Sequence, residues 1–128
     1  MRHELAEKAD HEYVSLVTYR RNGDPVATPV WVVRDGDRLL VTTGGTSGKV
    51  KRLRHTPRVT VTPCDVRGRI APDATPATAH AVVDASEQTR ARLDAALKAK
   101  YGMKYRLIRV GRRKDTSSVA LVITDPAE

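Results

Sequence analysis

The sequence predicts a mainly β (α+β) fold: an antiparallel β-barrel with α-helical additions. Short segments with alternating apolar residues and strand composition recur along the chain. Hairpin turns such as Asn22-Gly23 and Asp35-Gly36-Asp37 separate the early ones. Only one long amphipathic helix, from Glu87 to about Lys100, interrupts the series. A parallel doubly wound sheet needs a helix between most strands, so a Rossmann dehydrogenase is not expected.

The N-terminal third of the chain is predicted to form strands joined by hairpins. A short helix or ordered arm at residues 2–10 precedes a strand from Tyr13 to Tyr19. The Asn22-Gly23 pair suits a turn with positive φ at both central positions. The next strand runs from Pro25 to Arg34, and Pro29 interrupts it because proline has no N–H to donate. Pro29 therefore marks a sheet edge, a bulge or a place where a ligand meets the backbone.

The later elements follow from the same patterns. In chain order they are a strand from Arg38 to Thr43, a basic helical segment from about Lys49, a strand from Arg58 to Pro63, a loop at 64–76, a strand from Thr78 to Val83, the long helix, an ambiguous segment from Lys104 to Val110, a basic loop at 111–117 and a strand from Ser118 to Thr124. Asp84 or Ser86 is expected to cap the long helix, and Gly102 to end it.

Length and charge limit the class of protein. A chain of 128 residues is expected to form one domain, residues 1–128. Because 23 Lys and Arg face 15 Asp and Glu, the formal net charge is +8. This excess favours a polyanionic partner, which could be a nucleic acid, an anionic cofactor or an acidic membrane surface. Composition alone does not choose among them.

Hydropathy, the single cysteine and the spacing of the histidines bear on localisation and metal binding. No apolar run reaches the length of a membrane span, and the N-terminus lacks the apolar core of a signal peptide. The lone Cys64 excludes an intrachain disulfide, so a cytoplasmic protein is expected. Together with Cys64, the four histidines, at positions 3, 11, 55 and 80, show no metal-ligand spacing.

The segment from Leu39 to Val61 is the strongest functional signal. An apolar strand leads into a loop rich in glycine and hydroxyl groups, and a basic helical segment follows until Pro57. Glycines allow close approach of a ligand, and the free N–H groups of a starting helix attract anions. The spacing matches neither a P-loop nor G-x-G-x-x-G. Two interpretations stay open: an anion site, or a basic helix whose charges face water.

Motifs along the first half carry a family resemblance. They are Tyr13–Tyr19, Asn22-Gly23, Thr28–Val32, Leu40–Thr43, Ser47–Arg54, Pro57-Arg58-Val59 and Pro63–Gly68, with Lys100-Tyr101-Gly102 and the last strand. In order and spacing the chain resembles the pyridoxamine-phosphate-oxidase-like split β-barrel superfamily, in its deazaflavin (coenzyme F420)-dependent branch. The resemblance implies a six- to seven-stranded antiparallel split β-barrel with one long helix and short flanking helices. It also implies a homodimer with the cofactor in a groove between the subunits.

The resemblance also implies a cofactor site. Thr43, Ser47, Lys49 and Arg54 correspond to its phosphate-binding set, and Thr28, Pro29 and Val30 to the backbone strip along the ring. The full set of implied cofactor-binding residues is Thr28, Pro29, Val30, Thr42, Thr43, Ser47, Gly48, Lys49, Val50, Arg54, Pro63 and Arg67. Cys64 falls beside the last two. Lys51 and Arg52, with Arg112 and Arg113 as possible additions, extend the basic groove. Flavin-using oxidases tend to have arginine where this chain has Gly48, which weakens an FMN assignment.

The implied function is an F420-dependent oxidoreductase that transfers a hydride from reduced F420 to an unsaturated organic substrate. The hydride chemistry belongs to the cofactor, so no catalytic side chain and no metal site is expected. Alternatives are an FMN-binding flavoprotein of the same fold, a non-catalytic F420-binding protein and a small basic nucleic-acid-binding barrel. The last is disfavoured because exposed aromatic stacking platforms are few. The expected partners are a second copy of the chain and a small-molecule substrate, with no nucleic acid and no membrane.

Overall fold

A computed structural model of the chain describes residues 1–105 and 118–126. Within these ranges it contains seven strands: β1 (Tyr13–Tyr19), β2 (Pro25–Trp31), β3 (Val33–Asp35), β4 (Arg38–Gly44), β5 (Arg58–Cys64), β6 (Ala77–Asp84) and β7 (Ser118–Thr124). The helices are α1 (His3–Ala6), α2 (Gly48–His55) and α3 (Glu87–Tyr101), and a 3-10 turn at Glu7–Asp10 follows α1.

The strands form one antiparallel sheet in the order β2-β1-β5-β6-β7-β4-β3. Strands β2 and β3 are separated in the chain only by Val32, yet they lie at opposite edges of the sheet. The sheet must therefore curl until its two edges approach each other. The predicted fold class, a split β-barrel with one long helix, is confirmed.

The concave face of the sheet holds the main core. Leu16 pairs with Thr28 on one side and with Val61 on the other, and directly paired residues point to the same face. Leu16, Val61 and alternate residues along the other strands form one buried cluster. Val50 and Leu53 of α2 join this cluster. Helix α2 contacts β1, β4 and β6, so it covers one end of the curled sheet.

Helix α3 lies on the convex face over β3, β4 and β7. Its Leu93, Leu97 and Tyr101 form a second buried cluster with Leu40 and Val122. Ser86 caps the helix by accepting a hydrogen bond from the Thr89 N–H, and Gly102, with φ of +55°, ends it as predicted. Among the described helices, none combines the length and apolar character of a membrane span.

Two local predictions are wrong. The strand expected over residues 25–34 is broken at Val32, because its two halves pair with different neighbours at opposite sheet edges. Pro29 lies within β2, which is an edge strand as one of its interpretations required. In the first hairpin only Gly23 has positive φ. Asn22 instead accepts a hydrogen bond from the Asp24 N–H, which makes an Asx turn.

Residues 106–117 lie outside the described part of the chain. Most of the ambiguous segment from Lys104 to Val110, the basic loop at 111–117 and the groove residues Arg112 and Arg113 fall there.

Candidate functional site

Ser47 forms the start of α2 together with Thr43. The Ser47 hydroxyl accepts a hydrogen bond from the Val50 N–H at 3.4 Å, which is an N-cap. Its Oγ also lies 3.2 Å from Oγ1 of Thr43, the buried threonine near the end of β4. The hydroxyl pair fixes the path of the loop into the helix. The first turn of α2 contains no acidic residue, and the N–H groups of Gly48 and Lys49 have no acceptor among the described residues, so these donors and the positive dipole end can face an anion.

Arg52 folds back over this first turn. Its Nε donates a hydrogen bond of 2.6 Å to Oγ1 of Thr18, a fully buried residue of β1. A methyl group at position 48 would lie 2.7 Å from Nη1 of Arg52 and 3.4 Å from its Cζ. Gly48 thus leaves the space that the guanidinium occupies.

The charges around Arg52 are all positive. Lys49 is three residues earlier in α2, so the two side chains lie on the same side of the helix. Burial lowers the pKa of Lys49, and the charge of Arg52 lowers it further. Burial also lowers the pKa of Arg52, with a smaller contribution from Arg20 at the end of β1. Within residues 1–105 and 118–126, none of these three cations takes part in a salt bridge.

We call Lys49, Arg52 and Arg20 the cation cluster. Lys49 and Arg52 are partly withdrawn from water, whereas Arg20 is exposed, and uncompensated positive charges of this kind are stabilised by an anion. The start of α2 supplies backbone donors beside the cluster. The anion-site interpretation of the basic stretch therefore gains geometric support over the interpretation of a wholly solvated helix.

Four other residues of the predicted site, or near it, point elsewhere. Arg54 and Lys51 are exposed, and each is two residues from a member of the cation cluster, a spacing at which helical side chains do not face each other. Thr42 lies on the opposite face of β4 from Thr43, the face that α3 covers. Val50 is part of the core, so only its backbone N–H contributes to the start of α2.

Two residues of the predicted strip on β2, Thr28 and Val30, lie on the same face as Thr18, at increasing distances from the cation cluster. Thr18 pairs with Val26, Leu16 with Thr28, and Val14 with Val30. Successive rows on one face are about 7 Å apart, because an antiparallel strand rises about 3.4 Å per residue. Thr28 and Val30 therefore lie about 7 and 14 Å along β2 from the row that holds the Arg52 contact.

The loop after β5 returns to this strip. Gly68, with φ of +84°, lies against Pro29: a methyl group on Gly68 would be 3.7 Å from Cδ of the proline. The exposed Arg67 precedes it, and its N–H donates to Asp65 at 2.9 Å. Pro63 pairs with Val14, which pairs with Val30. Pro29 thus lies against the Arg67 loop on one face of β2, while Val30 shares the opposite face with Pro63 two strands away.

Acid–base and metal chemistry find little support in the described residues. No group of three or more His, Cys, Asp or Glu is arranged to hold a metal ion in residues 1–105 and 118–126. Burial raises the pKa of the Cys64 thiol, and Asp65 raises it further, so this cysteine is a weaker nucleophile than a free one. The described site combines positive side chains and backbone N–H donors with the neighbouring strand β2.

Sequence reasoning did not find Thr18 or Arg20. Thr18 belongs to β1 and Arg20 follows it directly, about thirty residues before α2, and a strand of alternating apolar residues gives no sign that its far end meets a helix. The Asn22-Gly23 turn directly after Arg20 was the available signal, since it places that residue at the end of the sheet.

The curled seven-stranded sheet, closed at one end by a capped basic helix, defines a split β-barrel protein. The family model of pyridoxamine 5'-phosphate oxidase matches residues 1–125, so the chain belongs to that family. A search of the curated proteins finds no significant match.

Several solved structures share the fold. The heme storage protein HutZ from Vibrio cholerae superimposes with a TM-score of 0.72 at 14% identity, covering 98% of this chain and 89% of HutZ. The conserved hypothetical protein Rv2991 from Mycobacterium tuberculosis gives a TM-score of 0.72 at 19% identity, covering 99% of this chain and 82% of its own. A heme binding protein from Mycobacterium smegmatis gives a TM-score of 0.61 at 18% identity, covering 96% of this chain and 52% of its own. These likenesses establish the fold.

Proposed function

We propose that the protein is an F420-dependent oxidoreductase that delivers a hydride from reduced F420 to an unsaturated organic substrate. The observation that carries the proposal is the cation cluster beside the Ser47-capped start of α2, which no described carboxylate neutralises. Membership of the pyridoxamine 5'-phosphate oxidase family supports a bound cofactor with a phosphate group. The glycine at position 48 favours the deazaflavin over FMN.

The residues of the site fit such a cofactor. Thr43, Ser47, Lys49 and the first N–H groups of α2 would hold its phosphate. Arg54, which the resemblance also implies, lies on the exposed side of α2. The edge strand β2 would present Thr28, Pro29 and Val30 to the ring, and Pro63 and Arg67 would border it. When bound, reduced F420 supplies the hydride. The protein's own task is to orient the ring and substrate and to exclude water.

A homodimer completes the proposal. In it the groove beside β2 is closed by a second copy of the chain, which limits the access of water to the ring. Light scattering coupled to size-exclusion chromatography tests this arrangement through the mass of the particle in solution. A monomeric mass that is unchanged by F420 would contradict the shared groove.

A titration with F420 tests the binding site. Deazaflavin fluorescence is followed at fixed salt, with FMN and hemin titrated in parallel. Because hydrogen bonds to charged groups contribute about 1.5–3 kcal/mol, Lys49→Ala is expected to weaken F420 binding about tenfold or more. The matched control is Lys51→Ala on the exposed side of the same helix, for which a change below about twofold is expected.

The alternatives predict other outcomes. Tight FMN binding without F420 binding moves the protein to the flavin-dependent branch, and hemin binding alone points to a heme-binding role. Binding of F420 without its oxidation across a panel of unsaturated substrates supports a non-catalytic F420-binding protein. If no cofactor binds at low salt, the site is wrongly assigned.

A further inference from the structure

Gly48 is not required by its backbone conformation. It is absent from the set of glycines with positive φ, which are Gly23, Gly36, Gly68 and Gly102. Glycine is also a poor helix former, so an ordinary residue would stabilise α2 better at this position. What the glycine provides is space, and the atoms in that space belong to the Arg52 guanidinium.

Arg52 is held by only one of its donors. A guanidinium has five N–H groups. Within the described residues only Nε makes a hydrogen bond, the 2.6 Å bond to Thr18. The two terminal nitrogens, with four N–H groups, have no described protein acceptor and lie next to the exposed Gly48. This guanidinium is therefore oriented at one side and has free donors at the other.

Arg20 adds a second charge at the same place. It is exposed and directly follows β1, two residues after the Thr18 that Arg52 contacts, and its charge contributes to the lowered pKa of Arg52. Two guanidinium groups without a described carboxylate between them repel each other. An anion placed between them would remove that repulsion and accept hydrogen bonds from both.

We propose that Arg52 and Arg20 form a second anion-binding position on the β1 side of α2, and that Gly48 exists to admit the Arg52 guanidinium. The first position is that of Lys49 and Ser47, so the inference rests on the proposed function. Arg52 is thus a specificity-determining residue: it selects ligands that carry a further anionic group beyond the first phosphate. A ligand with a single anionic group gains little from it.

Isothermal titration of the full-length protein with inorganic phosphate and with tripolyphosphate tests this position at constant ionic strength. Arg52→Gln is expected to weaken tripolyphosphate binding about tenfold, because a charge-assisted pair of hydrogen bonds is lost, and to change phosphate binding by less than about twofold. Arg20→Gln is also expected to weaken tripolyphosphate binding. Lys51→Gln removes the same net charge from the exposed side of α2 and is expected to leave both affinities within about twofold.

The variant Gly48→Ala tests the effect of moving the Arg52 guanidinium without removing its charge. It removes no charge, but its methyl group would lie 2.7 Å from Nη1 of Arg52, so the guanidinium has to move. A larger loss of tripolyphosphate binding than of phosphate binding in this variant supports the proposal. If a thermal melt shows that Arg52→Gln does not fold, Gly48→Ala still tests the proposal. Arg52→Lys is expected to recover part of the lost affinity.

Equal effects of Arg52→Gln and Lys51→Gln would overturn the second position. That result leaves the proposed function standing if Lys49→Ala still weakens F420 binding. Conversely, the expected tripolyphosphate pattern in a protein that binds no F420 supports the anion position and removes the cofactor assignment. The two failures are therefore distinguishable.

Discussion

The indole of Trp31 stacks on the ring of Tyr101. Their ring centroids are 4.1 Å apart, and their planes differ by 9°. The stack joins the last residue of β2 to the last residue of α3, at the point where the chain passes from one sheet edge to the other. The Tyr101 hydroxyl also accepts a hydrogen bond from the Val32 N–H at 3.1 Å and donates to the Glu12 carbonyl at 2.7 Å. One side chain thus fixes the break between β2 and β3.

Tyr101→Phe is expected to destabilise the protein while keeping the stack. The fully buried Val32 loses the acceptor of its N–H, and an unsatisfied buried donor costs about 1–3 kcal/mol in the free energy of unfolding. Chemical denaturation measures this loss. Tyr13→Phe is the matched control, since Tyr13 also lies near Trp31, at 6.4 Å, but its hydroxyl has no hydrogen bond to a described residue. A change within about 0.5 kcal/mol is expected there.

The same tyrosine predicts a loss of stability at high pH. Burial raises the pKa of Tyr101 to about 12 from its usual 10.0. Between these values the unfolded chain releases the phenol proton and the folded chain retains it. The free energy of unfolding therefore falls as the pH rises from about 10 to about 12. Denaturant midpoints measured across this range, compared with those of Tyr101→Phe, isolate the contribution. Parallel curves for the two proteins would contradict it.

The lowered pKa of Asp35 predicts that the protein loses stability in acid. The Arg92 guanidinium, bonded to Asp35 at 2.7 and 2.8 Å, and to a lesser extent Arg38 together lower its pKa from 3.8 in a free chain to about 2. The stabilisation is complete above about pH 3.8 and is lost as the pH falls through about 2. Because Arg92 is largely exposed, we expect about 1 kcal/mol.

Arg92→Gln checks this contribution. It removes the first cause of the lowered pKa and leaves Arg38 in place, so the slope of stability against pH between about 4 and 2 should flatten. Lys98→Gln, on the same helix and paired only with Asp94 among the described residues at 3.1 Å, is the control and should keep the slope of the wild type.

Local sequence patterns predicted the bounds of a strand or helix well where those bounds depend on its own residues. Strand β7 has the predicted bounds, 118–124, and α3 ends one residue later than expected. The segment at residues 25–34 behaves differently. Its apolar residues continue through Val32 without interruption, and only closure of the sheet decides that its two halves pair with different strands.

The residues of the candidate site likewise fall into two groups, those that local sequence predicts and those that depend on distant contacts. Ser47 and Lys49 were predictable because capping and helix polarity act within a few residues. Arg52 was visible as a charge, but its orientation depends on Thr18, and Arg20 is distant in the sequence. Such contacts arise from strand register and from the way α2 crosses the end of the sheet, and the sequence of α2 contains neither.

Ser47→Ala is expected to weaken both the helix and the site. Loss of the N-cap leaves the Val50 N–H without its acceptor and costs about 1 kcal/mol in the free energy of unfolding. The hydroxyl of Thr43 also loses its partner, so the loop that delivers Lys49 is less fixed. We therefore expect F420 affinity to fall several-fold, in addition to the loss of stability. Thr46→Ala, at the exposed neighbouring loop position, is the control and should change neither quantity appreciably. If Ser47→Ala lowers stability but leaves F420 affinity unchanged, Ser47 caps the helix without contributing to the cofactor site.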